Sequence, residues 1–182
     1  NPERPGATRD GLFSSRYLRE IYLKADQHYT GRVTVPVLWD RQQNRTVNNE
    51  SREILRLMAT VFASAVDLSP PALRARIDST LDAIYDPINN GVYRCGFAHT
   101  QQAYQEAASE LYTALDHWEQ VLDAQPFLCG SVVTEADLCM FTTLLRFDPV
   151  YSVHFKCSRR RILDYPNLWG YLRSLYQLPG VS

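Results

Sequence analysis

The sequence predicts a small α/β piece joined to an all-helical domain, and three observations carry that expectation. A β-branched and aromatic run, Val33 to Trp39, is followed by turn residues and a second short run. From Ser51 onward apolar residues recur with the 3.6-residue period of an amphipathic helix. Ser69-Pro70-Pro71 interrupts that period early, because proline lacks the amide a helix needs and clashes with the preceding turn. Residues 1–66 are therefore expected to form the α/β piece and residues 67–182 the helical domain.

The elements follow in order. Tyr17, Leu18, Ile21 and Tyr22 share one face of a short helix within Ser15–Ala25. The run Val33-Thr34-Val35-Pro36-Val37-Leu38-Trp39 is expected to be a buried strand. Asp40 to Asn44 turn, and Thr46-Val47-Asn48 return as a second strand of an antiparallel hairpin. Ile54, Leu55, Leu57, Met58, Val61 and Phe62 predict an amphipathic helix over 51–63. Leu73, Ile77, Leu81, Ile84 and Ile88 continue the period until Pro87 and Asn89-Asn90-Gly91 kink or end it. A long stripe from Ala103 to Leu122 predicts the next helix. Thr134 and Asp137 have the spacing of a capping box, and Pro166 stands at a first helical position. No internal repeat or low-complexity tract stands out.

Composition narrows the function. A net charge of −1, from 19 basic and 20 acidic side chains, gives no field to gather nucleic acid or an anionic membrane. No apolar run approaches the ~20 residues of a membrane span. The first residues are charged and proline-bearing, unlike a signal peptide, and they lack an initiator methionine, so a piece of a longer chain is expected. Cys95, Cys129, Cys139 and Cys157 are scattered without a CxxC pair, which suits a reducing compartment and predicts a cytoplasmic protein whose cysteines are small buried hydrophobes.

Two local features bear on binding. Pro36 interrupts a strand, which leaves two geometries open: an edge strand with a trans bond, or a cis Val35-Pro36 bond that turns the Val35 amide and carbonyl toward an extended peptide ligand. Glu50-Ser51 open the helix 51–63. A hydroxyl and free first-turn amides suit a carboxylate, and the glutamate suits the neighbouring ammonium group of an α-amino acid. An ordinary helix cap is the plainer reading of the same pair.

The strings YTGRVTVPVLWD (29–40), VNNES (47–51), IYDPINNGVYRCGFA (84–98), LCGSVVTEADLCMFTTLLRFDPVYSVHFKC (128–157) and DYPNLWGYLR (164–173) resemble the glutathionyl-hydroquinone reductases, the xi-class, omega-like branch of the glutathione transferases. The resemblance runs from about Tyr17 to the end. It implies that residues 1–66 are the C-terminal part of a thioredoxin-like domain, a β-hairpin and helix, and that residues 67–182 are a glutathione-transferase-type helical domain. It implies glutathione as co-substrate, held by Arg32, Val33, Thr34, Val35, cis-Pro36, Glu50 and Ser51. Tyr93 matches a tyrosine that exchanges a proton with the quinol, and Tyr151 one that stabilises the catalytic thiolate. It also implies reduction of a glutathionylated hydroquinone through a cysteine mixed disulfide, in a homodimer without metal. The family's nucleophile stands in a Cys-Pro-Trp-Ala motif, which this sequence lacks and which is expected upstream.

The sequence also allows other readings. Cys95-x3-His99 and His154-x2-Cys157 have zinc-ligand spacing. Arg159-Arg160-Arg161 form a basic run, expected to be solvated and paired with acids such as Asp164. Glutathione-transferase folds also serve as non-catalytic assembly modules, and an ordinary conjugating transferase would carry tyrosine or serine in place of the cysteine.

Overall fold

A computed structural model describes residue 6 and residues 8–62 and 67–181 of the chain. Its contacts fall into two units, one ending at Phe62 and one comprising the helices that follow.

In the first unit, helix α1 (Leu18–Ala25) buries Tyr22, the one fully buried side chain among the unit's described residues. The hairpin is antiparallel: β1 (Leu38–Asp40) pairs with β2 (Arg45–Asn48) through Leu38↔Asn48, Trp39↔Thr46 and Asp40↔Arg45, with a bulge between Leu38 and Trp39. The expected buried strand is thus cut short. Val33 to Val37 pair with no strand, and Val33 and Val35 are exposed. Pro36 offers no amide to a ladder, and the Val35-Pro36 bond is cis. Helix α2 (Ser51–Val61) has the amphipathic pattern of the sequence, yet none of its residues is fully buried. Residue 63, the last of the expected helix, lies outside the described residues.

The second unit is a helical bundle. Helix α3 (Arg74–Ile84) passes through a wide π-turn (Tyr85–Asn89) into the short helix α4 (Gly91–Gly96). Pro87 cannot donate an ordinary helical bond, and the turn closes instead from the Asn90 amide to the Tyr85 carbonyl, 2.7 Å. The 24-residue helix α5 (Gln101–Ala124), whose start is capped by the Thr100 hydroxyl, is the spine of the core. Helix α6 (Glu135–Arg146) ends in a second π-turn (Phe147–Tyr151), again containing proline, and then helix α7 (Ser152–His154). Helix α8 (Pro166–Tyr176) closes the bundle with proline at its start. Ile77, Leu111, Leu115, Met140, Leu144 and Leu168 meet at its centre, all essentially without solvent exposure. No helix among the described residues is long and apolar enough to cross a membrane.

Cys95, Cys129 and Cys157 are buried, whereas Cys139 is only half-buried. The basic run is exposed and partly paired, Arg161 with Asp164 at 3.3 Å and Arg160 with Asp116 at 3.5 Å.

Candidate functional site

The first unit joins the cis-proline segment to the start of α2 through one phenol. The Tyr22 hydroxyl donates to the Thr34 carbonyl at 2.8 Å, and the Thr34 amide returns a bond at 3.4 Å. The Asn49 side-chain amide donates to the Tyr22 oxygen at 3.1 Å and to the Thr34 hydroxyl at 3.3 Å. Burial pushes the Tyr22 phenol up, but the bonds from Thr34 and Asn49 outweigh it and hold the group below its ordinary value. Residues 32–36 and 49–51 are therefore fixed to each other at Thr34 and Asn49, with Glu50 and Ser51 next in the chain.

Arg32 is held on its other side. Its carbonyl accepts from the Tyr29 hydroxyl at 2.7 Å. Gly31 permits this contact, since a Cβ there would fall 2.5 Å from that hydroxyl. Val35 is 75% exposed, so the residue stands at the surface. Glu50 occupies the cap position of α2 without a side-chain cap bond, and Ser51 is the first helical residue.

The second unit brings the two singled-out tyrosines together. Tyr93, on α4, and Tyr151, at the end of the second π-turn, place their hydroxyls 3.1 Å apart. Tyr151 is buried and Tyr93 is 37% exposed. Burial, then the bond to Tyr93, pushes the Tyr151 phenol up to about 12. One phenol thus faces solvent and the other backs it from the core.

The sequence reading missed the rings around this pair. Phe155 stacks on Tyr151 with centroids 5.4 Å apart and touches Tyr93 at 5.3 Å and Phe97 at 5.4 Å. Phe97 lies nearly parallel to Tyr93, 6.3 Å away. A signal for this cluster exists in the sequence, and the expectation of no repeat needs correction. Tyr85-Asp86-Pro87-Ile88 leads to Tyr93-Arg94-Cys95, and Phe147-Asp148-Pro149-Val150 leads at the same spacing to Phe155-Lys156-Cys157. Both copies form a π-turn followed by helix, and equivalent residues meet. Tyr93 touches Phe155, and the Cys95 and Cys157 thiols bear on each other's ionisation, Cys157 being pushed up and Cys95 down. The repetition is short and its positions are similar rather than identical, so a linear reading passes over it.

His99 and His154 do not join these thiols in a metal centre. Among the described residues no group of three or more His, Cys, Asp or Glu side chains could hold a metal ion.

A cis-proline segment, a hairpin and a helix, followed along the chain by a helical bundle, resemble the order of elements in a glutathione transferase. Residues 101–174 match the family of the glutathione S-transferase C-terminal domain. The chain is 51% identical to a glutathionyl-hydroquinone reductase of Escherichia coli, an alignment covering 98% of this chain and 56% of that protein. A glutathionyl-hydroquinone reductase of Sphingobium chlorophenolicum is 47% identical over 87% of this chain and 52% of its own length. Among solved structures, a Xi-class glutathione transferase of Natrialba magadii superposes with TM-score 0.96 at 50% identity, covering 100% of this chain and 58% of that one. A glutathione-bound structure of the Escherichia coli homologue superposes with TM-score 0.94 at 50% identity, over 98% of this chain and 60% of that one. The chain spans a little over half the length of the curated relatives it matches. Its helical unit carries the match to the glutathione S-transferase C-terminal domain. Along nearly its whole length the chain resembles the Xi-class glutathione transferases and the glutathionyl-hydroquinone reductases.

Proposed function

We propose that this chain supplies the glutathione-binding edge and the phenol pair of an enzyme that reduces glutathionyl-hydroquinones to hydroquinones. The hydroxyl contact between Tyr93 and Tyr151 is the observation that carries the reading.

Glutathione is held by Arg32, Val33, Thr34, Val35 and Pro36 on one side and by Glu50 and Ser51 on the other. The Val35 backbone pairs with the peptide part of the ligand. Glu50 and the first turn of α2 take the α-amino acid end, the glutamate facing the ammonium group and the Ser51 turn facing the carboxylate. A cysteine thiolate attacks the thioether sulfur, the bond from sulfur to the aromatic carbon breaks, and an enzyme–glutathione mixed disulfide forms. The aromatic carbon takes a proton and leaves as hydroquinone. A second glutathione thiolate then attacks the mixed disulfide, releasing glutathione disulfide and restoring the cysteine. The nucleophile is the cysteine of the Cys-Pro-Trp-Ala motif that the family resemblance calls for. Buried Cys95, Cys129 and Cys157 and half-buried Cys139 are not offered for that role.

Tyr93 donates the proton. Its more exposed phenol reaches the substrate, while Tyr151, neutral up to about pH 12, donates in turn to the phenolate that develops on Tyr93. Tyr151 also lends its charge stabilisation to the thiolate, as the resemblance implies. The enzyme works as a cytoplasmic homodimer.

Tyr93→Phe tests this in the intact protein. Turnover of a glutathionyl-hydroquinone is expected to fall by about 10²-fold or more, with glutathione affinity nearly unchanged by calorimetry. Equal turnover in the two proteins removes Tyr93 from the mechanism.

A further inference from the structure

The phenol pair leaves one neighbouring ring unused. Phe97 is 66% exposed, more than any other ring of the cluster around Tyr93. A lone exposed phenylalanine needs no explanation. This one is held in place from beneath by Phe155, which also touches both phenols.

Gly96 makes that arrangement fit. A Cβ at this position would fall 2.5 Å from two carbons of the Phe155 ring, a distance that real Cβ atoms do not show. Alanine is the better helix former, so glycine at the end of α4 trades helix propensity for the approach of Phe155. Phe155 stands where Tyr93 stands in the other copy of the repeated segment, so each copy contributes one ring to the same cluster. Phe97 extends that cluster outward, nearly parallel to Tyr93 at 23°. Two near-parallel faces beside an exposed hydroxyl suit a flat aromatic ring, which stacks on one face while a ring carbon meets the phenol.

We propose that Phe97, seated on Phe155 beside the phenol pair, is the subsite that stacks the hydroquinone ring, and that Gly96 sets its geometry. This rests on the function proposed above and adds to it the residues that select an aryl thioether. Phe97 is a contact residue for substrate, whereas Gly96 and Phe155 are positioning residues that act through it.

The experiment uses the intact protein with a glutathionyl-hydroquinone, and measures KM, kcat and, separately, glutathione affinity. Phe97→Leu, which keeps apolar bulk but removes the aromatic face, is expected to raise KM for the conjugate about three- to tenfold. Its kcat and glutathione affinity stay within twofold of wild type. Phe97→Trp keeps KM at or below the wild-type value. Gly96→Ala displaces Phe155 and reproduces the rise in KM without touching the substrate. If Gly96→Ala does not fold, the two Phe97 variants decide, since a mostly exposed side chain contributes little to folding. Wild-type KM in Phe97→Leu overturns the subsite, as does a loss in Phe97→Trp equal to that in Phe97→Leu. A wild-type protein without turnover overturns the underlying function and the subsite together. Normal wild-type turnover with an indifferent Phe97→Leu removes the subsite alone.

Discussion

Tyr22 shows how one side chain serves two levels of structure. Its ring satisfies the helical face legible in the sequence, and its hydroxyl, buried with it, must find partners. It finds them in Thr34 and Asn49, residues distant in sequence that flank the proposed glutathione edge. Periodicity identified the ring as core but had nothing to say about the hydroxyl, because hydrogen-bond partners are a matter of where the chain returns. Tyr22→Phe leaves the buried ring and removes the joint. Asn49→Leu removes the amide that bridges Tyr22 to Thr34. Each is expected to weaken glutathione binding about five- to tenfold, the equivalent of one hydrogen bond of roughly 1 to 1.5 kcal/mol. Titration calorimetry on the intact protein checks this, and unchanged affinity in both variants would show that the joint does not position the ligand. Tyr93 and Tyr151 were singled out by resemblance alone. Their 3.1 Å contact is a property of the packed helices.

At the scale of elements, signals that are local in the chain read well and those that depend on a partner do not. The Thr134–Asp137 box is an example of the first kind. The Asp137 carboxylate accepts from the Thr134 amide at 2.8 Å and hydroxyl at 2.9 Å, completing the start of α6. The same carboxylate takes the Leu128 amide and the Tyr171 hydroxyl, each at 2.9 Å, so it ties three segments together. It is fully buried. Asp137→Ala leaves several buried donors unpaired and is expected to cost about 3 kcal/mol or more, while Thr134→Ala costs about 1 kcal/mol. Urea denaturation measures both, and a loss for Asp137→Ala no larger than for Thr134→Ala would contradict this account. The strand over 33–39 is an example of the second kind. Its composition suited a buried strand, but a strand needs a neighbour to bond, and β2 reaches only from Asp40 back to Leu38. The π-turns belong here too: Pro87 announced an interruption, and the chain widens the helix there rather than ending it, as it does again at Pro149, which the linear pattern did not single out.

At the scale of the whole molecule, buried phenols of the helical unit tie its stability to pH. Burial raises Tyr112 and Tyr151 from 10.0 to about 12, and pushes Tyr165 and Tyr171 up as well. Below pH ~10 folded and unfolded chains both carry neutral phenols, and the full stability is present. Above that, the unfolded chain ionises first, and stability is lost as pH rises through the folded values near 12. The unfolding temperature is expected to drop between pH 10 and 12, and Tyr151→Phe is expected to lose less of it over that window than wild type does. A flat profile to pH 12 would deny the burial of these hydroxyls their effect. The sequence by itself determined the helical period, the breaks at proline, the capping box and the balanced charge, because each is set by neighbours within a few residues. Its long matching strings also pointed to the kind of protein. The tertiary structure alone decided that Tyr93 meets Tyr151, that Phe155 sits where Gly96 leaves room, and that Tyr22 joins Thr34 to Asn49. Those contacts depend on distances through space between residues far apart along the chain, and local patterns carry no measure of that.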